Sequence, residues 1–109
     1  MRYALMVYEG EPVEAAGERT PTCAVCVEAM RRAGVYVAGD RLRGVATATT
    51  LRISGNRTRL VDGPYAETPE QLGAFHVIDV PDLDAALAWA ARCPSASRGA
   101  VEVRPVLPT

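Results

Sequence analysis

Lysine is absent from this sequence: all twelve basic side chains are arginine. With no side-chain amine, Schiff-base chemistry is excluded. Histidine occurs once and the formal net charge is -1, so there is no electrostatic footprint for nucleic acid or for an anionic membrane. Long apolar runs are missing too. The first one, Met1 to Tyr8, is cut off by Glu9, Gly10, Glu11 and Pro12, too early for a bilayer span or a secretory core. Cysteine is scarce and odd in number, at three. With no secretion signal beside it, that count points to a reducing cytoplasm. Neither a glycine-rich phosphate loop nor a Ser–His–Asp arrangement is visible, and no cofactor is expected.

What is present reads as one domain over residues 1–109, a length that buries one core and not two. Residues 2–8 alternate apolar groups on both sides and predict a strand covered on both faces. Residues 9–20 read as a loop. Thr20-Pro21 predicts a helix start and Gly34 its stop, with Cys23, Cys26, Val27 and Met30 forming one apolar stripe. A short strand at 35–38 precedes an irregular stretch at 40–47. Residues 48–53 and 58–61 predict a hairpin about Ser54-Gly55-Asn56-Arg57, one face of it wet.

The polar run Asp62-Gly63-Pro64-Tyr65-Ala66-Glu67-Thr68 then leads through a turn to a strand at 73–80. Thr68-Pro69-Glu70-Gln71 resembles a first helical turn, and Asp62 is suited to bonding amides across the bend. Asp82 predicts the cap of a second helix, with Leu83, Ala86, Leu87 and Ala90 as its stripe and Pro94 as its end. Residues 95–99 read as a loop and 100–104 as the last strand. The order predicts a two-layer α+β sandwich, a ferredoxin-like split βαβ unit with an inserted β-hairpin. Two helices cover one sheet face only. The other, also apolar, predicts a homodimer packed sheet to sheet.

Asp62-Gly63-Pro64-Tyr65, Glu67-Thr68 and Glu70-Gln71-Leu72-Gly73 resemble the DGPF subgroup of the YCII-related proteins, with Tyr65 in place of the usual Phe and Pro69 in place of a common Lys. Thr47 to Thr50, Asp79 to Asp84 and Val101 to Pro105 are similar as well. The resemblance implies a ferredoxin-like fold that dimerises through its sheets, of the dimeric α/β-barrel type. It brings no established reaction. A His–Asp pair has been proposed as a dyad in the wider family, but its positions here are Cys23 and Cys93, so the dyad does not carry over.

Candidate site residues follow from side-chain chemistry. His76 is the one imidazole able to act as a base near neutral pH, with Asp62 or Glu67 as its acidic partner. Tyr3, Asp40, Tyr65, Arg104, Cys23 and Cys93 are candidate ligand contacts around an apolar sheet cleft, rimmed by the 62–68 and 39–46 loops. Cys23 and Cys26 form a C-x-x-C, but both fall on the core stripe, so packing is the plainer role. Zinc on the three cysteines and His76 lacks a second close-spaced pair, and no metal is expected. Three classes stay open: a small-molecule-binding domain, a cofactor-independent lyase or isomerase acting on a small, possibly aromatic, substrate, and a non-catalytic accessory dimer. The expected partners are a second copy of the chain and a small organic ligand.

Overall fold

The computed structural model describes residues 1–10 and 21–108, with the backbone alone described at 21–24. The cap expected at Thr20, most of the 9–20 loop and the side chain of Cys23 lie outside the described residues. Strand β1 (Arg2–Gly10) is central. It pairs antiparallel with β5 (Glu70–Asp79) on one edge and with β6 (Ala100–Pro105) on the other. Strand β2 (Tyr36–Arg41) pairs with the far edge of β5, giving the order β2-β5-β1-β6. This is a mixed α+β architecture with antiparallel sheets and few helices.

Alternation sorts the sheet into two faces. Tyr3, Leu5 and Val7 of β1 stand opposite Ile78, His76 and Ala74 of β5, and all six are buried. Helix α1 (Pro21–Arg32) supplies Cys26 and Met30 to this side, and α2 (Leu83–Ala91) supplies Ala86 and Ala90. Leu5, Met30 and Ile78 are fully buried and form the centre of the core. The opposite face carries Ala4, Met6, Phe75 and Val77, half-buried or exposed.

Both helices end as their sequences require. Gly34 takes φ 76° after α1, the Val35 amide donates to the Met30 carbonyl at 3.1 Å and the Gly34 amide to Arg31 at 3.0 Å. This is the paired closure that a glycine with positive φ permits. The Asp82 carboxylate accepts from the Ala85 amide at 2.9 Å and caps α2.

Several sequence expectations are corrected. Strand β5 begins at Glu70, so Thr68 to Gln71 is not a helical turn. Pairing of Gly10 with Glu70 and of Glu9 with Gln71 outweighs the local capping preference. The same polar side chains secure the bend instead: Thr68 Oγ1 donates to the Glu70 carbonyl, and Gln71 Nε2 donates to the Ala66 and Thr68 carbonyls. Asp62 makes no side-chain hydrogen bond among the described residues. Gly63, at φ 119°, is held by its amide on the Ala48 carbonyl and by the Thr50 hydroxyl on its own carbonyl, both at 2.8 Å. Residues Ser95–Arg98, read as a loop, form a short helix α3, which Pro94 enters with φ −57°. In α2 the buried stripe is Ala86 and Ala90 with Cys93 beyond, whereas Leu83 and Leu87 are each 47% exposed. The small side chains face the sheet and let the helix sit close to it.

Strands β3 (Thr49–Ser54) and β4 (Arg57–Asp62) form a separate two-stranded sheet, turned at Gly55 with φ 62°. Every hairpin residue except Thr50 is exposed. The overall extents are 45 × 39 × 18 Å and the radius of gyration is 15.5 Å, against about 13 Å for a compact chain of this size. The molecule is a thin plate.

Truncating the fully buried Met30 to Ala should destabilise the fold by about 2–5 kcal/mol in urea denaturation. Leu87→Ala, at the half-exposed position, should cost under about 1 kcal/mol. Equal effects at the two positions would contradict this placement of the core.

Candidate functional site

His76 lies on β5 opposite Leu5 of β1 and Gly39 of β2, on the helix-covered face of the sheet. It is 3% exposed, and among the described residues its Nδ1 has no hydrogen-bond partner. A buried polar atom left unpaired is destabilising by about 1–3 kcal/mol, so such atoms are uncommon and concentrate where a function retains them. Gly39 makes room for the ring. A methyl group there would collide with the Phe75 carbonyl and come within 2.6 Å of Nδ1.

The ring of Tyr36 lies 6.0 Å from that of His76, tilted by 54°, and the Arg31 guanidinium sits 5.0 Å from the Tyr36 centroid. Arg31 comes from the last turn of α1 and Tyr36 from the first residue of β2, so the turn at Gly34 brings them together. Burial pushes the His76 pKa below its ordinary value of 6.5, and the Asp40 carboxylate opposes this by favouring the cation. The imidazole is therefore neutral at pH 7. It is a ring able to accept or donate a hydrogen bond, or to take up a proton, from a buried position.

The other candidates are scattered. Asp62 ends β4 on the separate hairpin sheet and Glu67 lies in the following loop; both are exposed. Among the described residues neither makes a side-chain hydrogen bond or ion pair, with His76 or otherwise. No hydrogen bond or ion pair therefore joins the 62–68 run to the imidazole among the described residues. Tyr65 is 76% exposed, with Arg52 at 5.5 Å over its ring. Arg104 is exposed and bonded to Glu102 at 2.8 Å. Tyr3 is buried in the core, its hydroxyl 3.5 Å from the Met1 sulfur. Asp40 is exposed at the β2 edge, opposite Phe75. Cys93 is buried, with its sulfur 3.3 Å from that of Cys26.

Sequence reasoning missed two features. Tyr36 and Gly39 adjoin His76, with Arg31 over the Tyr36 ring, and the only sequence signal was the glycine that closes the short 35–38 strand, a residue that permits close backbone approach. At the far end of the sheet, the buried Ser95 donates to Glu9, with Arg98 3.6 Å from the same carboxylate. Beside it lies an open groove of about 490 Å³ lined by Tyr8, Thr68, Pro69, Glu70 and Ala100. Among the described residues no group of three His, Cys, Asp or Glu side chains is arranged to hold a metal ion. Nor is any described helix long and apolar enough to cross a membrane.

A four-stranded antiparallel sheet with helices on one face, a separate hairpin and a buried imidazole define a small α+β domain with a strand-borne histidine. The chain belongs to the YCII-related domain family, whose model matches residues 1–109. It is 38% identical over 114 residues to an uncharacterised protein of Rhizobium meliloti (strain 1021), R00369, an alignment covering 97% of this chain and 92% of that protein.

A proton NMR titration of the single imidazole should give a midpoint below 6.5, and Asp40→Asn should lower it further by removing the carboxylate that supports the cation. Because the folded pKa lies below the unfolded one, the unfolded chain takes up the extra proton. The stability contributed by neutral His76 is complete above about pH 6.5 and declines as pH falls toward the lowered folded value, by at most about 1.4 kcal/mol per pH unit. His76→Phe should flatten that part of the stability profile. A midpoint at or above 6.5 in the native protein would overturn the burial argument.

Proposed function

We propose that the protein is a small-molecule-binding domain of the DGPF subgroup, ferredoxin-like in topology. Its ligand site includes His76. The observation that carries this reading is the unpartnered Nδ1 of an imidazole 3% exposed. A small organic ligand with a hydrogen-bonding group would complete it, entering beside the 39–46 segment that bears Gly39 and Asp40. The strand order, with the last strand next to the first and the first next to β5, is the order of a split βαβ domain. The Asp62-Gly63-Pro64-Tyr65 run is the basis of the subgroup assignment.

Binding and catalysis share this site. A lyase or isomerase reading is favoured by the neutral imidazole, which is the form a general base needs. In that reading Asp40, the carboxylate already acting on His76, is the natural partner. Asp62 and Glu67 serve it only if the 62–68 loop closes over a bound substrate.

The solution form we assign is a homodimer in a reducing cytoplasm. Leu51, Ile53 and Leu60 are 56–66% exposed on one face of the hairpin, and an isolated two-stranded hairpin is marginal in water. The sheet face bearing Met6, Phe75 and Val77 is apolar along β1 and β5, with Glu102 and Arg104 of β6 and Asp40 of β2 beside it. A second copy would cover these surfaces and thicken the plate.

The lone histidine makes the ligand test clean. Screening small aromatic and carboxylate compounds against the imidazole resonances should yield binders that shift them, with affinity lost by tenfold or more in His76→Phe. Binders that leave those resonances unmoved would place the site elsewhere. A ligand consumed in the assay, with turnover abolished in His76→Phe, selects the catalytic reading.

Light scattering should return twice the 11.6 kDa chain mass, reverting toward one chain in Phe75→Asp. A native monomer at micromolar concentration would remove the dimer.

A further inference from the structure

We infer that Cys26 and Cys93 constitute a site of reversible oxidation, at which a disulfide closes between α1 and the C-terminal end of α2. The two sulfurs lie 3.3 Å apart across the helix interface, and both residues are thiols in this structure. A disulfide needs about 2.05 Å between sulfurs, so closure takes a movement of about 1.3 Å, small enough for side-chain rotation to supply. The two positions are 67 residues apart in sequence. The bond would therefore tie together two segments far apart in the chain.

The surroundings favour thiolate chemistry. Among the described residues, the groups acting on Cys26 are the Cys93 thiol, which hydrogen-bonds it, and the Arg92 cation. Against the opposing effect of burial, they bring its pKa from 9.0 to about 7. A low thiol pKa is what distinguishes a reactive cysteine from an inert core one.

The oxidant we assign is hydrogen peroxide, small enough to reach cysteines that are 8% and 6% exposed. The Cys26 thiolate attacks one peroxide oxygen and the O–O bond breaks. Cys26 becomes a sulfenic acid, and the departing hydroxide leaves as water after taking a proton. The Cys93 sulfur then attacks Cys26 Sγ, the S–O bond breaks, and the second water leaves with the Cys93 proton. Two electrons pass from the thiol pair to one peroxide. A dithiol reductant reverses the bond by exchange.

The test uses the intact chain, whose three cysteines include Cys23 one turn before Cys26. One equivalent of peroxide should remove two of the three titratable thiols, and non-reducing peptide mapping should return a Cys26–Cys93 cross-link that dithiothreitol cleaves. The oxidised protein should melt at a higher temperature than the reduced one, because the closed loop restricts the unfolded chain. Cys26→Ser and Cys93→Ser should each lose both the cross-link and the shift. Wild-type mapping decides the question without either variant. A cross-link through Cys23, or Cys26 and Cys93 remaining reduced while Cys23 is oxidised, overturns the inference.

Discussion

The structure depends on β1 being paired along both edges. From Tyr3 to Tyr8 its residues face β5 on one side and β6 on the other, so the first strand of the chain waits for segments some 70 and 100 positions later. Everything with chemistry in it is placed by this pairing. Because Leu5 stands opposite His76, the imidazole shares the face that the helices cover. A register slip of one residue would turn it to the other face. The same constraint decides the start of β5, since Glu9 and Gly10 recruit Gln71 and Glu70 into the ladder and leave no helical turn before it.

His76 is the point at which stability and function pull apart. An apolar side chain would fill its place without an orphaned nitrogen. Instead the fold retains an imidazole, flanks it with Tyr36, and spends a glycine at position 39 to admit it. The pKa is lowered by burial while Asp40 resists. Burial outweighs the carboxylate and keeps the ring neutral, which is the state a ligand or substrate can use.

The exposed hairpin and the covered thiol pair are two outcomes of one architecture. On the helix side, two layers bring Cys26 and Cys93 together and seal them from bulk water. Among the described residues the other face of the main sheet has no helical layer. A plate 18 Å thick, with Leu51, Ile53 and Leu60 in solvent, leaves apolar area that a single copy cannot bury.

Periodicity and turn chemistry made most of the elements legible in the sequence: both long helices, the hairpin, the four strands of the main sheet, the Asp82 cap and the Gly34 stop. These depend on neighbours in sequence, and local patterns report them. What required the tertiary structure was every choice between equivalent local options. Helical spacing puts Cys23 and Cys26 on the same stripe, and only the docking of α1 against α2 sets Cys26 beside Cys93. Spacing likewise ranks Leu83 and Leu87 with Ala86 and Ala90, but the close approach of the helix selects the alanines. The 62–68 run looked like a centre because its polar residues are adjacent in the chain. The imidazole's actual neighbours, Tyr36, Gly39 and Asp40, come from a strand far from it in sequence. No local pattern encodes that distance, because long-range pairing is decided by the sheet as a whole.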